Sequence, residues 1–179
     1  MKSMFKKSRD IMLYHERNEF EEYGKAPKDY RECKICSAVY YNKSWHHGEN
    51  FDKFASKKLK NLWMTRCPAC KLAESQKYEG AITLENVPKK FRDELYHMIK
   101  AYAKREYDRD CQHRVIAINK EDNKTWTITT TENQLANKLA QKIKDVFNKV
   151  DVKVSYSEQP NDVERIKINF LPFWSFSQA

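Results

Sequence analysis

Two Cys-x-x-Cys pairs, Cys33-Lys-Ile-Cys36 and Cys67-Pro-Ala-Cys70, constrain this chain more than any other feature. A two-residue gap lets both sulfurs of a pair curl onto one soft ion, and two such pairs complete a tetrahedral shell. The gap between the pairs is 30 residues, longer than the usual span of about fifteen to twenty. An amphipathic helix over 51–63 accounts for the excess as an insertion. A redox Cys-x-x-Cys would want a βαβ context around a single pair, and disulfides would want an oxidising compartment. Neither is signalled. Cys33, Cys36, Cys67 and Cys70 are therefore expected to hold one structural Zn²⁺. His46 and His47 lie close by, but four cysteines already close a site, so both histidines are expected at the surface. Cys111, beside His113, reads as a bystander thiol rather than a nucleophile.

Composition says why a staple is needed. Residues 1–110 hold 17 of the 36 Leu, Ile, Val and Phe side chains, whereas 113–179 hold 19 of them in far fewer positions. A segment so poor in aliphatic side chains struggles to build a core without a metal or cross-link. No stretch resembles a secretory leader or a membrane span. A soluble, cytoplasmic chain without a membrane partner is expected.

Periodicity outlines the elements. Phe51, Phe54, Ala55, Leu59, Leu62 and Trp63 recur at helical steps between the cysteine pairs. "AVYYNKSW" reads as a strand or hairpin arm, and "ITLE" as a strand. A long helix starts near Pro88, with Phe91, Leu95, Met98, Ile99 and Tyr102 on its apolar stripe. "HRVIAINK" and "TWTITTT" form a hairpin around "EDNK". Thr131-x-x-Gln134 looks like a capping box, opening a helix striped by Leu135, Ala136, Leu139, Ala140, Ile143, Val146, Phe147 and Val150. "VKVSYS" and "VERIKINF" alternate as two further strands. The expected fold is α+β: a zinc ribbon-like four-cysteine module plus a small antiparallel β-β-α-β-β domain. The expected division is a basic arm at 1–31, the zinc-binding module at 32–86, a linking helix at 87–112, the β-β-α-β-β domain at 113–170 and an aromatic tail at 171–179.

The charge points to a partner. The chain carries 34 basic and 25 acidic residues, a formal excess of +9, which suits a polyanion. Lys53, Lys57, Lys58, Lys60, Arg66 and Lys71 crowd around the second knuckle, a pattern that grips phosphates. Trp45, Tyr40 and Tyr41 are candidates for stacking on unpaired RNA bases, or equally for the miniature core of the metal module. No paired catalytic groups and no phosphate loop stand out, and the chain has only 3 glycines. A non-enzymatic chain is expected.

In their order these features resemble a known family. A Trp follows the first knuckle (Trp45), and "CPAC" forms the second (Cys67 to Cys70). The hairpin ends in a Thr run (Thr129, Thr130, Thr131) before a helix that begins Leu135-Ala136. This is similar to the large-ribosomal-subunit export adaptor of the nonsense-mediated-decay-protein-three type, and more so to short bacterial zinc-binding proteins related to it. The resemblance covers roughly residues 30 to 169. It departs where a glycine often follows a knuckle, since Ser37 and Lys71 stand there. It implies zinc binding and association with ribosomal particles. The expectation is an RNA- and ribosome-associated protein, acting in ribosome assembly, dormancy or quality control, with ribosomal proteins as further partners. A DNA-associated zinc-ribbon regulator and a protein–protein adaptor docking through its aromatic tail are the alternatives.

Overall fold

The computed structural model describes residues 30–41, 43–49, 63–122, 124–156 and 163–171. Two sheets organise them. The smaller is built from β1 (Arg31–Cys33), β2 (Val39–Tyr41), β3 (Ser44–His46) and β4 (Trp63–Thr65), in the order β3-β2-β1-β4. β1, β2 and β3 run antiparallel, while β4 lies parallel to β1 with Cys33 opposite Thr65. A short helix, α1 (Pro68–Ser75), leaves the second knuckle and ends at Gln76, which adopts a left-handed φ of 54°. Pro68 suits the first helical position because its missing N–H would have no partner there.

The larger sheet contains β5 (Gly80–Glu85), β6 (Val115–Lys120), β7 (Trp126–Thr130), β8 (Val150–Tyr156) and β9 (Glu164–Phe170), in the order β6-β7-β5-β9-β8. A 3₁₀ turn at Lys89–Phe91 leads into α2 (Arg92–Arg109), and α3 (Asn133–Val146) joins β7 to β8. Ile82, Leu84, Trp126, Ile128, Ile166, Ile168 and Phe170 point to one face of the sheet. There they meet Leu95 and Ile99 of α2 and Leu139, Ala140 and Ile143 of α3 in one buried cluster. Mixed α+β architecture with a four-cysteine module is thus the fold.

Four expectations change in detail. First, "ITLE" belongs to the larger sheet and not to the metal module: β5 is its central strand, antiparallel to β7 and parallel to β9. The sheet is therefore mixed rather than purely antiparallel. Ala81, Ile82 and Leu84 are all buried, as a strand flanked on both sides requires. A short apolar run carries no local signal for its partners, and here they lie roughly 45 and 85 residues downstream. Second, the helix at 87–112 does more than link, because its Leu95 and Ile99 are fully buried in the same core.

Third, Thr131 does not cap a helix. Its Oγ1 accepts from the backbone N–H of Arg114 at 2.9 Å and donates to the Gln112 carbonyl. Glu132 occupies the N-cap position of α3 without a side-chain cap. Fourth, Trp63 lies in β4 and is half-exposed, and Val146 stands outside the buried stripe of α3. The other members of the expected helix at 51–63 lie outside the described residues.

Candidate metal centre

Each knuckle is set by a strand end. β1 delivers Cys33, whose N–H donates to the Ala38 carbonyl at 2.7 Å, while the Ser37 N–H donates back to the Cys33 carbonyl at 2.8 Å. Closing so tight a turn puts Ser37 at a left-handed φ of 55°, the conformation a glycine adopts at least cost. Gly48 packs against this turn, and a Cβ there would fall 2.3 Å from the Ser37 carbonyl oxygen. β4 delivers the second knuckle, with Cys67 at the N-cap of α1.

The parallel pairing of β1 with β4 explains how a 30-residue gap closes on one site. Cys33 faces Thr65 across the ladder, and the Lys34 N–H donates to the Thr65 carbonyl at 2.9 Å. Whatever length lies between, its two ends are held side by side.

The four cysteine sulfurs lie within 4.8 Å of one another. Cys36 and Cys67 are 3.7 Å apart, against about 3.8 Å for the edge of a tetrahedron with metal–sulfur bonds of about 2.3 Å. Backbone donors face the sulfurs: the Cys67 N–H reaches Cys33 Sγ at 3.3 Å, and the Cys70 N–H reaches Cys67 Sγ at 3.4 Å. Cys33, Cys67 and Cys70 are buried, and Cys36 is partly so. The cluster can hold a metal ion in a closed, all-thiolate shell.

The surroundings are basic on one side. Arg114 donates to Cys70 Sγ at 3.3 Å and reaches Cys67 Sγ at 4.0 Å. It also donates to the Cys111 carbonyl at 2.9 Å and lies 5.2 Å over the Tyr107 ring. Burial alone would weaken its charge, but contact with the sulfurs holds the guanidinium more firmly protonated than usual. Among the thiols, the contact from Cys67 pulls Cys36 down to about 4 and pushes Cys67 itself up. Burial pushes Cys70 up to about 11. The cluster thus favours a shared negative charge beside a fixed positive one. Sequence reasoning missed Arg114, since nothing in "DCQHR" marks it. The same segment supplies Gln112, whose Oε1 accepts from the Ala69 N–H at 3.1 Å.

No family model matches the chain. No curated protein and no solved structure matches it either.

The remaining candidates divide clearly. Tyr40 and Trp45 are buried with ring centroids 5.5 Å apart, packed with Cys33, Cys67 and Cys70. They are the miniature core and not a stacking platform. Tyr41 rests on His46 at 4.1 Å. The expected surface residue His47 instead braces α2, donating from Nε2 to the Tyr107 carbonyl at 2.7 Å. Neither histidine belongs to the cluster of four sulfurs. Cys111 is buried in the same core, and burial pushes its thiol up to about 11, which suits packing and not attack. Arg66 is paired with Glu74 at 2.7 Å, and Lys71 sits half-buried on α1. Lys53, Lys57, Lys58 and Lys60 lie outside the described residues. Among the described residues, no helix is long and apolar enough to cross a membrane.

Proposed function

We propose that the chain is a zinc-organised, non-enzymatic RNA-binding protein that acts on ribosomal particles in assembly, dormancy or quality control. One observation carries the metal half of this reading: four sulfurs converge within 4.8 Å in a largely buried site. Four thiolates suit Zn²⁺ in a closed structural shell, which leaves no open position for a reacting water. The ion would take over the role that aliphatic packing plays elsewhere, since the core around it consists mainly of cysteines, alanines and two aromatic rings.

The RNA half is supported by charge and by order in the sequence. The chain carries an excess of +9. In the sequence Lys53, Lys57, Lys58 and Lys60 precede β4, the strand that sets the second knuckle, and Lys71 follows that knuckle. The likeness to the export-adaptor family agrees with ribosomal RNA as the polyanion.

The test neutralises Lys53, Lys57 and Lys60 to Gln together. RNA affinity should fall, and the salt dependence should flatten by up to about two units of slope for three lost single-strand phosphate contacts. Zinc content and melting behaviour should stay unchanged. Unaltered affinity and slope would remove these lysines from the interface, and a preference for duplex DNA would favour a regulator of transcription. Tagged protein should also co-sediment with ribosomal particles and be released by salt.

A further inference from the structure

β8 forms one edge of the larger sheet. It pairs with β9 along all 7 of its residues, and no described strand lies on its other side. An edge of this length presents a row of unpaired backbone groups, a ready template for another strand. Its side chains alternate strictly. Val150, Val152 and Val154 face Phe170, Ile168 and Ile166 on the helix-covered side, while Asp151, Lys153 and Ser155 fall on the open side. Val154 remains exposed at 49%, as does Tyr156 at 66%, which follows on the same side opposite Glu164.

The segment Val150-Asp-Val-Lys-Val154 is complementary to itself when laid antiparallel. We propose that β8 is the interface of a homodimer, in which two copies of the chain join their larger sheets edge to edge about a two-fold axis through Val152. In that register Asp151 of each copy faces Lys153 of the other. Val152 meets Val152, and Val150 meets Val154, on the opposite face. Cross-strand neighbours of this kind are the unit of sheet stabilisation.

The alternatives are poorer. An axis through Asp151 sets carboxylate against carboxylate, and one through Lys153 sets ammonium against ammonium; both are destabilising. An axis through Val154 leaves Lys153 facing Ser155 and sets Asp151 opposite a position beyond the end of the strand, and one through Val150 runs off the start of the strand. A slip by a single residue would turn the valines to the polar face. Within one chain Asp151 and Lys153 approach only to 3.9 Å and both are largely exposed, so each is available to a second copy. This inference does not depend on the RNA-binding reading.

Charge reversal tests it on the zinc-loaded full chain by sedimentation velocity over a concentration series. The wild type should dimerise reversibly. Asp151→Lys and Lys153→Asp should each weaken self-association at least about tenfold, because each places like charges opposite one another twice. An equimolar mixture of the two variants should form a heterodimer, and the double variant carrying both reversals should regain the homodimer. Unchanged zinc content and melting temperature would show that the variants remain folded. A wild type that stays monomeric overturns the proposal. So does a dimer indifferent to either reversal, or single variants that fail to associate when mixed.

Discussion

At Arg114 a single side chain touches three parts of the molecule. It meets the sulfurs of Cys67 and Cys70, the carbonyl of Cys111 and the face of Tyr107. An all-thiolate zinc centre carries two net negative charges, and a half-buried guanidinium offsets part of them. Arg114→Met keeps all four sulfurs and most of the side chain's bulk. It should weaken metal affinity by about 10–100-fold, the usual effect of losing an outer-shell partner, with Arg114→Lys intermediate. Competition with a chromophoric chelator measures this, and an unchanged affinity would show that Arg114 only packs. The ligands themselves were legible in the sequence because a Cys-x-x-Cys turn is a local device. Arg114 was not legible, because its contact spans 44 residues and nothing nearby constrains it. Ser37 lies between these cases: its departure from the usual glycine was visible, but its left-handed backbone was not.

Among the elements, β5 decides which fragments can fold. It separates β7 from β9, so the two expected strand pairs, β6–β7 and β8–β9, do not touch each other. Gly80 shows how closely it is packed: a Cβ there would lie 2.4 Å from Thr130 Oγ1 and 2.6 Å from the Ala136 Cβ. A fragment of residues 113–170 therefore lacks the centre of its own sheet, together with the buried Leu95 and Ile99 of α2. It should give a collapsed, unfolded amide spectrum, whereas residues 78–171 should give a dispersed one. A dispersed spectrum from the shorter piece would contradict the assembly. The hairpin and both long helices could be read from periodicity, since their signals lie within one element. The place of β5 could not, because strand order depends on pairing between distant segments.

In the whole molecule the metal centre is also a joint. Gln112 and Arg114, which connect α2 to the larger sheet, bond the second knuckle, and His47 ties the smaller sheet to the end of α2. The ion would thus fix both the small sheet and its seat on the larger one, because metal affinity in such sites is folding free energy. Chelation should loosen the small sheet and α1 while leaving the core around Leu139 and Ile143 protected from hydrogen exchange. The most direct measurement is the zinc content of the purified full chain by elemental analysis and native mass spectrometry. One zinc ion per chain is predicted, lost together with the structure of the small sheet in Cys67→Ser. Folded protein without zinc, or a Cys67→Ser variant that keeps its full zinc content, would contradict the four-cysteine centre.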